Sequence, residues 1–256
     1  MPLSRNATLT VGVLVWITAV LLLDTGATLG QQHLLGALTW LVLLAALRGE
    51  TPAVRIQVGV VVVFATTVEY VFSHWLGVYT YRLDTVPMFV PPGHGLVYLA
   101  ALSFGRTALA ARYARPLLAV VLVVCGAWAL WGLVLSPTPD ALGAFWYLCL
   151  VAFAWKGRSP LLYVGAFGVV SYLEIVGTSL GTWTWGAVDP MLGLITIGNP
   201  PSGIAGGYAW FDAAALWLTP MLLAWWSRRS GAPGQLRVDP GEVVAHSRGP
   251  LEVESR

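Results

Sequence analysis

Eight apolar segments, each near the ~20 residues a helix needs to cross about 30 Å of hydrocarbon, follow one another along this chain. They fall at residues 8–24, 33–47, 55–76, 87–105, 114–136, 141–155, 160–181 and 203–226. A segment of that kind in lipid must satisfy its backbone groups internally, and the long runs lack the period-two alternation of a barrel, so helices are expected. Composition agrees: 57% of the 256 residues are hydrophobic, 10% are charged and 13 are Trp, the balance of a chain whose solvent is lipid. The fold class expected is therefore all-α, a polytopic membrane protein of about eight transmembrane helices.

Charge sets the expected orientation. Under the eight-helix reading, 13 of the 14 Lys and Arg residues fall on one side and only Arg82 falls opposite. The positive-inside bias then places both termini in the cytoplasm of a multi-pass cell-membrane protein. A net charge of +2 with no basic run, phosphate loop or zinc-type cysteine spacing excludes nucleic acid as a partner. Cys125 and Cys149 lie in apolar runs and read as packing residues rather than redox groups. Residues 228–256, rich in Gly, Pro, Ser and charge, read as a disordered cytoplasmic tail.

Two stretches share one plan. VEYVFSHWLGVYTY (68–81) and YLEIVGTSLGTWTW (172–185) each place a glutamate inside an apolar run, then a glycine, then an aromatic pair. The correspondence extends outward. GALTW at 36 matches GAFWY at 143, RGETP at 48 matches KGRSP at 156, Pro91 and Pro92 match Pro200 and Pro201, and Tyr98 with the following LAAL matches Tyr208 and the later AAAL. The expected organisation is a tandem duplication, with a first four-helix repeat at 1–112 and a second at 113–227. An even number of helices per unit makes the two repeats parallel, so equivalent residues lie at equal depth.

That geometry puts Glu69, Glu174 and Asp212 in one layer toward the outer face. A charge in hydrocarbon costs about 2.5–3.5 kcal/mol even on a lenient scale, so three acids at one depth ask for a reason. The segments PMFVPPGHG and GLITIGNPPSG are expected to break helix geometry beside them, with His94 at the outer start of the fourth helix. The expected site is a polar pocket closed from outside by the loops at 79–92 and 183–201. Glu69 and Glu174 are the candidate catalytic acid and base, with His94 and Asp212 as orienting groups. Tyr79, Tyr81, Trp183, Trp185, Asn199 and Trp210 are the candidate substrate-binding residues. A carboxylic acid that keeps its proton in apolar surroundings is what protonation of an unactivated carbon–carbon double bond requires. No cofactor is called for. His94 with three carboxylates would nevertheless make an oxygen-rich set if a metal bound.

The glutamate, the LGVYTY that follows it with its Pro-rich segment, and the second unit LEIVGTSLGTWTWGAVDPMLGLITIGNPPSGIAGGYAWFD resemble the membrane carotenoid-biosynthesis proteins. The likeness is to the carotenoid hydratases acting on C50 carotenoid ends and, more distantly, to the heterodimeric lycopene cyclases. It covers roughly 68–102 and 172–216. The resemblance implies acid-initiated chemistry on a polyisoprenoid double bond without a redox cofactor, of lyase (hydratase) or isomerase type. Glu69 and Glu174 match the membrane acids of the family, Gly181, Trp183 and Trp185 its Gly-x-Trp-x-Trp element, and Asn199 with Pro200 its later segment. The chain departs from the cyclases where PPGHG and NPPSG stand in place of a Pro-x-Glu-Glu element, and in having four helices per module rather than three. The function expected is hydration, isomerisation or cyclisation of a polyene, with a hydrophobic lipid or polyisoprenoid as substrate. Broken helices, internal repeats and intramembrane acids also fit a small-solute or proton-coupled transporter, and acids with a purely structural role would fit a noncatalytic lipid-binding or scaffold protein.

Overall fold

A computed structural model describes residues 4–229 and is mostly helical. Helices form in all eight apolar segments: α1 Arg5–Asp24, α2 Leu29–Leu47, α3 Pro52–Glu69, α4 Val90–Gly105, α6 Ala114–Val134, α7 Ala141–Lys156, α8 Pro160–Ser179 and α9 Ala205–Arg229. A short α5, Ala108–Arg112, was not anticipated. Among the described residues, five helices are long and apolar enough to cross a membrane: α1, α2, α3 with its extension to Trp75, α6 and α8. Local chemistry sets the starts. The Thr28 side chain and Gln31 form a reciprocal capping box, Thr51 caps α3 ahead of Pro52, and the Asp140 carboxylate caps α7 by accepting the Gly143 amide at 2.9 Å.

Pro91 and Pro92 do not break the chain, contrary to expectation. They occupy the first turn of α4, where an amide donor has no helical partner to lose. The C-terminal boundary also differs, since α9 continues through Arg229; the remainder of the expected tail lies outside the described residues.

Helices α3, α4, α8 and α9 pack as a central bundle, with α1 and α2 against α4 on one flank and α6 and α7 against α8 and α9 on the other. Small residues permit the close approaches: a Cβ on Gly165 would strike the Ala101 carbonyl, and one on Gly206 the Trp146 carbonyl. Helix α4 runs so deep that residues 96–101 are at most 4% exposed. At one end of the bundle the buried Glu50 carboxylate takes Arg5 at 2.8 Å and Arg106 at 3.0 Å. At the other, buried Asp24 takes Gln32 at 2.7 Å and Arg82 at 3.3 Å.

The helical plan carries one β element. Strands β1 (Tyr79–Tyr81) and β2 (Trp183–Trp185) pair antiparallel, with Tyr79 opposite Trp185, Thr80 opposite Thr184 and Tyr81 opposite Trp183. Gly77 (φ +66°) and Gly181 (φ +70°) turn the chain from helix into each strand, a left-handed conformation that glycine adopts without a Cβ clash.

Candidate functional site

Glu69 ends α3, and a π-helical turn, Tyr70–Trp75, follows it. That turn resolves a mismatch between the two motifs, because Glu69 lies eight residues before Gly77 whereas Glu174 lies seven before Gly181. A π turn takes up one extra residue, so both carboxylates address the ribbon in the same way.

Each strand holds its own acid. The hydroxyls of Tyr79 and Tyr81 donate to Glu69 Oε2 at 2.8 and 2.7 Å. The indole N–H groups of Trp183 and Trp185 donate to Glu174 Oε2 at 2.9 and 3.1 Å. Alternation along a strand explains the pairing: residues 79 and 81, like 183 and 185, point to one face, while the intervening threonines point away and are exposed. The ring systems then meet across the ribbon, Tyr79 on Trp185 at 4.5 Å between centroids and Tyr81 on Trp183 at 6.2 Å.

These groups line one cavity of about 350 Å³, together with His94, Tyr208 and Trp210. Both glutamates are buried, Glu69 at 7% and Glu174 at 3% exposure. His94 Nε2 lies 3.3 Å from Glu69 Oε1, and its Nδ1 is 3.0 Å from the Val90 carbonyl. A carbonyl only accepts, so Nδ1 carries a hydrogen. Glu174 is held differently. Its two indole partners donate and cannot accept, and both fall on Oε2.

The structure thus gathers Glu69, Glu174, His94, Tyr79, Tyr81, Trp183, Trp185 and Trp210 around one space. It leaves two of the sequence candidates outside. Asp212 is 4% exposed but does not line the cavity; it follows Tyr208 by one turn of α9, away from the ribbon, and its Oδ2 has no hydrogen-bond partner. Asn199 acts on the site through the backbone, accepting the Trp185 amide at 3.1 Å on its side-chain oxygen. With Asp212 displaced, the oxygen-rich set does not assemble: among the described residues no group of three or more His, Cys, Asp or Glu is placed to hold a metal ion.

Tyr208 is the residue that sequence reasoning overlooked. Its ring stacks on His94 at 5.4 Å and 16°. The signal was present in the sequence, since Gly93 and His94 stand to GLVYLAAL as Gly207 and Tyr208 stand to AWFDAAAL, and all four line the cavity. Matching Tyr98 with Tyr208 set that alignment one turn out of register. Asp140 was also overlooked. Its buried carboxylate accepts the amides of Gly198 at 2.9 Å and Ser202 at 2.7 Å, pinning the segment that carries Asn199.

No protein-family profile, curated protein or solved structure matches this chain.

Proposed function

We propose that this protein is an integral membrane enzyme of isoprenoid or carotenoid lipid metabolism that protonates a polyene double bond. The observation that carries the reading is the pair of buried carboxylates facing one aromatic cavity, one of them 3.3 Å from a histidine nitrogen. In the first step a proton carried by the Glu69 and His94 pair passes to an alkene carbon, leaving a cation on its neighbour. The aromatic faces of Tyr79, Tyr81, Trp183 and Trp185 offer that cation their negative quadrupoles. In hydration, the oxygen of a water molecule then bonds to the cationic carbon while Glu174 Oε1 takes the proton that water sheds. In isomerisation, Glu174 removes a proton from an adjacent carbon instead. Either sequence balances in protons alone and moves no electrons to a redox partner.

The proposed setting is eight transmembrane helices arranged as two parallel repeats. Helices α4 and α7, at 16 residues each, and the Pro-containing α9 join the five candidate membrane-crossing helices as spans. Three features support the duplication: the ribbon register centred on Thr80 and Thr184, the equivalent glycine turns, and the His94–Tyr208 stack between corresponding positions of α4 and α9. The Arg5–Glu50–Arg106 cluster would mark the cytoplasmic end and Arg82 the opposite one.

The test is mass spectrometry of pigments and polyisoprenoid lipids from cells lacking the gene, then restored with wild type, Glu69→Gln or Glu174→Gln. The expected result is a precursor lighter than the product by one water, or isomeric with it, that only the wild type consumes. An unchanged lipid profile on deletion, or full consumption by both variants, would overturn the reading.

A further inference from the structure

Between β2 and α9 the chain leaves the bundle as a narrow hairpin, residues 188–196, closed at its base by a bridge between Val188 and Thr196. Its tip is apolar and bare. Met191 is 69% exposed, Leu192 68% and Leu194 78%, with Val188 and Ile195 about half that. The one charged residue, Asp189, faces inward on the hairpin's own backbone, its two oxygens accepting the amides of Leu192 at 2.7 Å, Leu194 at 2.9 Å and Ile195 at 2.7 Å. The amides of Asp189 and Gly193 are bonded within the hairpin as well, to the carbonyls of Ile195 and Asp189.

Water does not call for this construction. A hairpin in water can leave its amides to solvent and gains nothing from exposing three large apolar side chains within four residues. At a hydrocarbon edge both features are favourable, since each backbone donor left unpaired there costs several kcal/mol and the amides of Asp189, Leu192, Gly193, Leu194 and Ile195 are bonded within the hairpin. The position of the hairpin agrees. Thr196, at its root, accepts the Leu142 amide at 3.0 Å and the Ala141 amide at 3.3 Å, which fixes it to the start of α7. The neighbouring surface is lipid-like: Val134 (64% exposed) and Leu135 (70%) at the end of α6, and Phe145 (52%) and Leu148 (64%) on α7. Leu142 and Phe145 also line the cavity.

We propose that the hairpin at 188–196 is a membrane-seated finger whose tip enters the hydrocarbon edge of the leaflet on the ribbon side, next to the α7 wall of the cavity. Its partner is lipid acyl chain. The inference depends on the chain lying in a bilayer and not on the reaction proposed above, so its readout is positional and independent of turnover.

The test uses the full chain in phosphatidylcholine bilayers. Met191→Cys, Leu192→Cys and Leu194→Cys, each in a Cys149→Ala background, carry a nitroxide, as does Asp84→Cys, which lies in the exposed turn after β1. Power saturation then compares collisions with oxygen, which concentrates in lipid, and with a water-soluble nickel chelate. The expected result is that oxygen outcompetes the chelate at all three tip positions and the order reverses at position 84. Chelate access at the tip equal to that at position 84 would place the finger in water and overturn the proposal. Dipolar broadening between tip labels would overturn it in favour of a second copy of the chain as the partner. The tip side chains are exposed, so neither cysteine nor label disturbs the packing being tested.

Discussion

The two glutamates differ in what surrounds them, and the difference underlies the roles proposed for them. Glu69 sits among groups that can exchange protons, two phenols and an imidazole, while the indoles on Glu174 only donate. His94→Gln should therefore lower turnover by about 10²–10⁴-fold, the range for a lost acid–base partner. Added imidazole should restore part of it, which a merely structural role would not allow; the measurement is turnover in membranes with and without imidazole. The phenols have another part. Burial first, and then the Glu69 carboxylate, hold the Tyr79 and Tyr81 hydroxyls well above the ordinary phenol range. A raised phenol pKa keeps the neutral form as pH rises, so both remain donors throughout neutral and mildly alkaline conditions. Tyr79→Phe and Tyr81→Phe are expected to reduce the rate while leaving the position of any alkaline limb below about pH 10 unchanged. The pH–rate profiles of the two variants check it.

Among the elements, one close tolerance lies where α8 meets β2. A Cβ on Gly177 would enter the six-membered ring of Trp183, so Gly177→Ala must push that indole off Glu174 or displace the helix. Overpacking of this kind costs about 1–3 kcal/mol. Gly168, on the same helix with nothing within 4 Å of its would-be Cβ, is the control. Thermal unfolding in detergent, with turnover beside it, should show Gly177→Ala impaired in both and Gly168→Ala in neither. The sequence reveals the helices well because their signal is local: length and hydropathy both lie within the segment. It reveals the acids because Glu69 and Glu174 stand alone in apolar runs. The ribbon is hidden because three residues make too short a strand to carry a pattern, and each strand finds its partner a hundred residues away. The π turn shows only as the unequal spacing from glutamate to glycine. Depth counted along a helix says nothing of which way a side chain faces, and on α9 it is Gly207, Tyr208, Trp210 and Phe211, not Asp212, that line the cavity.

At the scale of the molecule, the ribbon decides what counts as a unit. Each acid takes its hydrogen bonds from its own half of the sequence, yet the aromatic wall beside it is completed by rings from the other half, Tyr79 with Trp185 and Tyr81 with Trp183. The central bundle is likewise shared, since α4 packs on α8 and α3 on α9. Severing the chain between Arg112 and Tyr113 cuts only the link between α5 and α6 and leaves every one of those contacts available. Co-expressed pieces 1–112 and 113–256 should reassemble and restore the lipid profile of a deletion strain, while either piece alone should not; activity from a single piece would refute this. Two copies of one half, related by a twofold axis through the Thr80–Thr184 pair, would close the same ribbon and the same cavity. One continuous chain frees the two sides from being identical, and so permits a phenol-and-imidazole lining for one acid and an indole lining for the other. Under the proposed duplication, a self-paired ancestor would have had to carry both acids in one and the same setting.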